Sequence, residues 1–526
     1  MAVVAAMVVT SVAGEGGKTW YSVVQTRTDG FAVESGKAAD AVAVGYLLPY
    51  LNSTGWDQLE IVTTKGYPDD VQMYAAGLLE AYLSHESMYY SFRNQYGDGL
   101  SSKVNAFLEA NLEATLELAG QNANSSVWWN HVHLVLRQFM GLYEGYQHFA
   151  PEAHQLGLLE VWALSANGDI ETIQSVVGEE KLDFGNHCSA LIKVMPDNAE
   201  LFMGHTTWST FNSMLRSYKS YSFPLAAAST AAVRVSFSSY PGALNSIDDI
   251  YFMSSRLATT ETTNGNLNAE LWKYITPTKG VLSWIRTIVA NRMASSGPEW
   301  VKAFTTHTSS TYLNQWLVVD YNLFTPGQPL KPNTLWMAEE NPKAFFTRDL
   351  TPVLAAGTYW PSYNVPANSV NYVESGFPAA VAEWGPYLFS RNNASRAHIF
   401  ARNESRIATL DDFGALLRYN DWKNDPASIG PDGVPNAGLS ISSRFDLVTR
   451  PYPHNKWLIH NAFGGIDSKM TSYQLMKDGS AVGYAQSGPT HDQQPPFTWA
   501  DWPSVAHTGM PEVFDFDWIK MDFYSS

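Results

Sequence analysis

Between Asp69 and Val177 the apolar residues recur at helical intervals. One such stretch is Met73-Tyr-Ala-Ala-Gly-Leu-Leu-Glu-Ala-Tyr-Leu83; in another, Val132, Val135, Leu136, Phe139, Met140 and Tyr143 share a face. Gly77-Leu-Leu-Glu-Ala-Tyr82 is echoed by Gly141-Leu-Tyr-Glu-Gly-Tyr146. A single echo does not make a repeat architecture. Glu80 and Glu144 are expected in solvated or capping roles rather than as a catalytic carboxylate pair. From Ser165 to Gly185 the periodicity loosens into a polar, turn-forming stretch. It reads as an exposed loop, the type of segment in which processing cuts fall.

After this loop the texture changes to strands. Cys188-Ser-Ala-Leu-Ile-Lys-Val-Met195 and Glu200-Leu-Phe-Met-Gly-His-Thr-Thr-Trp208 are joined by Pro196-Asp-Asn-Ala199, which predicts a hairpin. Further strands are expected at Val233–Ser239, Ile250–Arg256, Trp316–Tyr321 and Leu335–Glu339, with helices at Ser209–Ser220 and Val281–Ala294. Mixed elements with hairpins imply an α+β fold built on a largely antiparallel sheet. No Pro/Gly/Ser-rich linker marks off an independent domain.

Composition adds limits. The chain has 526 residues, 45% of them hydrophobic and 16% charged, which is ample for a large core and argues against disorder. The net charge of −17 is spread along the chain, so a nucleic-acid partner is not expected, since phosphate binding needs clustered Lys and Arg. The opening Met1-Ala-Val-Val-Ala-Ala-Met-Val-Val, followed by small residues at Ser11 and Ala13, resembles a signal peptide spanning 1–13, though without the usual positive charges. No later run reaches the ~18 apolar residues of a membrane span. Asn-X-Ser/Thr triplets begin at Asn52, Asn124, Asn393 and Asn403, each a glycosylation acceptor if the chain enters the secretory pathway. A secreted or lysosomal location is expected.

Cys188 is the only cysteine. It can form no internal disulfide, so it is either a small buried hydrophobe or a reactive thiol. Position favours chemistry. If the His187–Cys188 bond is broken, the freed α-amine lies beside its own sulfur, and an α-amine titrating near ~7.7–8.0 can serve as its general base. Other chemistries lack their residues. There is no GxSxG elbow, P-loop or His-Glu-x-x-His pair. A Cys-type metal site is excluded by the count, and His131 and His133, two apart on a helix, do not face each other. No metal or cofactor is expected.

Several segments carry a resemblance. Asn186-His-Cys-Ser-Ala-Leu-Ile-Lys-Val194 and Gly204-His-Thr-Thr-Trp-Ser-Thr-Phe-Asn-Ser-Met-Leu-Arg216 come first. Phe237-Ser-Ser-Tyr-Pro-Gly242, Asp248-Asp249, Thr260-Glu-Thr-Thr263 and Leu271-Trp-Lys-Tyr274 continue it. So do Asn314-Gln-Trp-Leu-Val-Val-Asp-Tyr321, Tyr359-Trp-Pro-Ser-Tyr-Asn364, Leu417-Arg-Tyr-Asn-Asp421, Gly464-Gly-Ile-Asp467 and Ser487-Gly-Pro-Thr490. Together they resemble the phospholipase B-like proteins from Asp69 onward.

The resemblance implies the N-terminal nucleophile hydrolase fold, a four-layer αββα sandwich with two antiparallel sheets between helix layers. It implies a precursor cleaved by itself between His187 and Cys188. Residues 14–187, with the processing loop near 165–187, would form the N-terminal helical fragment, and residues 188–526 the catalytic fragment. The two would remain one folded unit, each the other's partner, with a homodimer an open option. The implied activity is hydrolysis of an acyl ester in a lipid-type substrate. Amidase action on an acyl amide, or lipid binding without turnover, are the alternatives.

Position by position, the resemblance makes Cys188 the nucleophile and places His205 beside it in the catalytic set. Trp208 and Thr263 become pocket residues. An oxyanion donor is also required, and a side-chain amide can supply it; Asn364 and Asn420 are the two candidates. Arg444 could steady a thiolate or hold an anionic headgroup. Each has a plainer alternative: a core histidine, a packing tryptophan, a strand threonine, turn asparagines, and an Arg444–Asp446 salt bridge.

Overall fold

The computed structural model describes residues 4–6, 17–27, 30–179, 188–248, 250–449 and 458–523. The expected hairpin forms as strands Cys188–Val194 and Leu201–Thr210, and the turn between them uses positive φ at Asp197 and Asn198. Asp and Asn tolerate that conformation better than most residues. This hairpin belongs to a 7-stranded sheet ordered Tyr359–Ser362, Cys188–Val194, Leu201–Thr210, Asp467–Ser472, Gly483–Ser487 and Ile519–Met521, with Phe463–Gly465 also paired to Leu201–Thr210. A second sheet of 12 strands runs from Val4–Ala6 at one edge to Ala344–Asp349 at the other. Pairing is antiparallel except at two places, one being Asp57–Thr63 alongside Ser217–Ser222.

Strands buried on both faces sort their side chains by the two-residue period. Trp316 and Val318 join a core with the helices Asp69–Tyr96, Val127–Phe149 and Ser283–Met293, whereas Leu317 and Val319 join a core that also holds Ile192, Val194, Leu201 and Met203 of the other sheet. On that sheet's far side, Leu191 and Phe202 meet Phe400, Phe413 and Leu417 from helices Ser395–Asn403 and Leu410–Leu417. The α+β class is therefore observed. Among the described residues, no helix is long and apolar enough to cross a membrane.

The two echoed segments meet each other. A Cβ on Gly77 would lie 1.9 Å from the Gln138 carbonyl oxygen, and one on Gly141 would lie 2.0 Å from that of Tyr74. The glycines let two long helices touch backbone to backbone. Glu80, one turn further, is fully buried rather than solvated: its carboxylate takes a hydrogen bond from Lys219 Nζ at 2.6 Å and another from the Tyr221 hydroxyl. Glu144 accepts from the Tyr74 hydroxyl at 2.5 Å.

Two other expectations need correction. Ser209–Ser220 is not a helix; a short 3-10 turn at Phe211–Ser213 leads into strand Ser217–Ser222, which is drawn into the large sheet between Asp57–Thr63 and Arg234–Ser239. The polar stretch after Ser165 contains the helix Asn167–Val176, whose buried Asp169 caps a neighbouring helix: the carboxylate accepts from the Ser283 and Trp284 amides at 2.8 and 3.3 Å. Those amides open helix Ser283–Met293, where orphan N–H groups need acceptors. The 180–187 part of the expected processing loop, including His187, lies outside the described residues, as does most of the expected signal peptide. Four strands between Tyr21 and Thr63 had no counterpart in the sequence reading.

Candidate active site

Cys188 opens its strand and is buried, opposite Thr207, while Ala190 lies opposite His205. Burial pushes the Cys188 thiol well above its ordinary value, and the nearby Glu261 carboxylate adds to this. The Trp208 backbone N–H and the Lys469 ammonium act the other way. In the unbroken chain the sulfur is therefore a thiol, not the nucleophilic thiolate.

Its backbone is held firmly. Arg396, on helix Ser395–Asn403, donates to the Cys188 carbonyl at 2.6 Å, to Ser189 Oγ at 3.2 Å and to the Tyr363 carbonyl at 2.8 Å. Its guanidinium lies 4.3 Å from the Trp208 ring centroid. Burial lowers the Arg396 pKa to about 9. Trp208 Nε1 and Ser189 Oγ both donate to the Ile441 carbonyl, at 3.0 and 2.8 Å. Trp208 thus packs against the arginine that clamps Cys188.

His205 is buried, and burial followed by the nearby Lys469 charge holds its pKa well below the ordinary value, so the ring is neutral. Its Nδ1 faces Thr207 Oγ1 at 3.4 Å. Its Nε2 has no hydrogen-bond partner, and the Glu261 main chain lies close to the ring. One donor atom each of Cys188, His205 and Glu261 lie within 4.8 Å of one another. Such a trio has ligand types that suit zinc, and the same trio suits a thiol and its base.

Behind Thr207 stands a buried ionic network. Lys469 Nζ donates to Thr207 Oγ1 and to Asp467 Oδ1, both at 2.5 Å. Asp467 pairs with Arg216 at 2.8 Å; Arg216 also contacts Asp248, which accepts from the Tyr240 hydroxyl at 2.5 Å. All four charged side chains are fully buried, two of each sign. A balanced network of this type survives burial because each charge has its partner and hydrogen bonds.

The other expected residues fall at different places. Asn364 has φ of 68°, and its amide donates to the Thr263 carbonyl at 2.8 Å. Ser362 pairs with Ala190, so extending that register by two residues brings Asn364 level with Cys188. Asn420 donates to the Ala437 and Ser442 carbonyls at 3.0 and 2.7 Å. Arg444 forms the salt bridge with Asp446 at 2.7 Å and donates to the Thr490 and Pro495 carbonyls. The structure thus gathers Cys188, His205, Trp208, Thr263 and Asn364, and leaves Arg444 bound to Asp446 and to the 490–495 segment.

A cavity of about 20 Å³ touches Cys188 and is lined also by Gln95, Asn167, Ser213, Tyr240 and Tyr312. That is room for a single water. Its walls come from both sides of the 187–188 junction. The larger surface cleft, about 1040 Å³, lies elsewhere, among Tyr67, Asp69, Asn124 and His133. Asn52, Asn124 and Asn393 are exposed, and Asn403 is half-buried with its amide donating to the Ile399 carbonyl.

The family model for phospholipase B matches residues 43–521. The chain belongs to the phospholipase B family. Among relatives of this family member, phospholipase B-like protein A of Dictyostelium discoideum is 36% identical, over 96% of this chain and 92% of its own. Phospholipase B-like protein C of the same organism is 37% identical, over 94% and 90%. Phospholipase B-like protein B is 35% identical, over 95% and 89%.

Sequence reasoning missed Arg396, Lys469, Glu261 and the Arg216–Asp248–Asp467 group of this phospholipase B family chain. One signal was available. Glu261 and Thr263 share a strand face by the two-residue period, so choosing Thr263 should have brought Glu261 with it.

Proposed function

We propose that this chain is a self-processing cysteine hydrolase that cleaves an acyl ester or amide in a lipid-type substrate, in the secretory pathway or lysosome. In this reading the two sheets and their flanking helices are the four-layer αββα sandwich of N-terminal nucleophile hydrolases. The observation that carries it is the setting of Cys188: a lone cysteine at the head of an interior strand, its carbonyl clamped by Arg396 and its sulfur beside His205 and Glu261. A structural cysteine needs none of these neighbours.

The precursor sulfur attacks the carbonyl before it, and water resolves the thioester. The freed amine then serves as base for each turnover. The thiolate attacks the substrate carbonyl, an amide donor stabilises the oxyanion, and water releases the acyl group. Of the two candidate donors, Asn364 fits better. An amide has two hydrogens; Asn420 has both directed at backbone carbonyls, whereas one hydrogen bond accounts for Asn364.

The polar lining of the Cys188 cavity favours a second reading, an acyl amide with a hydrogen-bonding leaving group in place of a phospholipid. Intact mass and N-terminal sequencing of mature protein test the shared premise. Cys188→Ala should remain one inactive chain; maturation of that variant into the same two pieces would reject the scheme. Ester and amide panels then separate the two substrates.

A further inference from the structure

The proposed function leaves one chemical gap. The α-amine can act as base only after cleavage, because in the precursor that nitrogen is an amide with no basic lone pair. The first attack by sulfur needs another proton acceptor.

We infer, resting on the self-processing reading, that the Glu261 carboxylate is the base that drives cleavage before Cys188, with His205 positioning it and the thiol.

Three observations carry this. First, Glu261 and His205 lie within 4.8 Å of the sulfur, inside the reach of one bridging water, and a cavity of single-water size touches Cys188. Second, the carboxylate is aimed. Tyr312, which lines that cavity, shares its one hydroxyl proton between the Ile247 carbonyl at 2.8 Å and Glu261 Oε1 at 3.2 Å; the Asn314 amide, in the orientation that satisfies its own surroundings, donates to Oε2 at 2.9 Å. Third, the other charged neighbours are unsuited. Lys469 has donors only and is bound to Asp467 and Thr207. Asp248 and Asp467 are committed to Arg216. His205 borders both the sulfur and Glu261, so its neutral ring packs beside base and thiol together.

The step balances as follows. The thiol proton passes to Glu261 as sulfur bonds to the carbonyl carbon of residue 187. The carbon–nitrogen bond to Cys188 breaks, and the protonated carboxyl returns its proton to the departing nitrogen. Water then adds to the thioester and the carbon–sulfur bond breaks; one proton of the water restores the thiol, the other goes to the freed α-amine as ammonium, and residue 187 keeps a carboxylate.

The test follows purified full-length precursor by intact mass across pH. Glu261→Gln should cleave about 10²-fold more slowly or worse, the usual scale of a lost general base, and lose the fall in rate at low pH expected of wild type. Glu261→Asp should recover part of the rate. Hydroxylamine, which intercepts thioesters, should speed wild-type cleavage and leave Glu261→Gln unmoved, which a general loosening of the fold would not produce. Thermal melts of each variant confirm folding. Wild-type cleavage rates in Glu261→Gln, or equal hydroxylamine acceleration, would overturn the role of Glu261 while leaving self-processing intact. A wild-type precursor that never cleaves before Cys188 would instead overturn self-processing, and this role with it.

Discussion

Cys188 faces Thr207 across the hairpin, and Thr207 Oγ1 receives a 2.5 Å hydrogen bond from the buried Lys469 ammonium. Cys188 is therefore one residue removed from a set of four interior charges. That closeness makes local chemistry and fold stability hard to separate, and it shapes the first prediction.

Lys469→Met should cost about 3–5 kcal/mol, because it leaves Asp467 and Asp248 in the interior with Arg216 alone. Urea unfolding of the variant against wild type measures it. The double variant Lys469→Met/Asp467→Leu should recover part of the loss, since removing both partners of a buried pair costs less than orphaning one.

The crossing of helices Asp69–Tyr96 and Val127–Phe149 tolerates no added carbon. Gly77→Ala places a methyl 1.9 Å from a backbone oxygen, which no side-chain rotation relieves. A loss of about 1–3 kcal/mol or more is expected. Gly120→Ala, where nothing lies within 4 Å, is the control and should leave the melting temperature level or higher.

The contribution of Glu340 to stability should grow on mild acidification, while buried neutral histidines such as His205 act the other way. Burial pushes the Glu340 carboxyl from 4.5 up to about 8, against the opposing pull of Arg286, and pushes Asp57 from 3.8 to about 6. Each folded-state pKa is above its unfolded value, so between about 4.5 and 8 the folded chain holds protons that the unfolded chain has released. Stability from Glu340 is thus present at low pH and lost as pH climbs through that window. Relative to wild type, Glu340→Gln should gain melting temperature as pH rises from 5 to 8, because it keeps the neutral side chain that Glu340 gives up in that window. Melts of both proteins at matched ionic strength check this.

In secreted material, Asn52, Asn124 and Asn393 should carry glycans, because all three are exposed. Asn403 should carry little, its amide being engaged with the Ile399 carbonyl. Enzymatic deglycosylation followed by peptide mass mapping reads each position; full occupancy at Asn403 would refute the argument from engagement.

How much of this was legible in the sequence depended on whether a residue's partners were close in the chain. The Cys188–Thr210 hairpin was readable because a Pro-Asp-Asn turn joins two apolar runs. The long helices were readable because their periodicity is internal. Strand Ser217–Ser222 was not: Ser, Tyr and Lys alternate there without an apolar face, and only pairing with Asp57–Thr63 and Arg234–Ser239 makes it a strand. The site divides the same way. Cys188, His205 and Trp208 lie in one hairpin and came together through the resemblance. Arg396, Glu261 and Lys469 are charged residues in unremarkable local contexts, and only the tertiary fold shows that they are buried around the sulfur.

The pairing of Asp57–Thr63 with Ser217–Ser222 joins chain from either side of residue 187 by six residue pairs in one sheet. Breaking the backbone at 187–188 would leave this seam in place but change what refolding means. The unbroken chain reassembles by a first-order process; two separated pieces would have to find each other, so recovery would become second-order and the thermal midpoint would shift with protein concentration. Once nicked, the molecule would owe its persistence to slow unfolding, and dilution after denaturation would strand both halves.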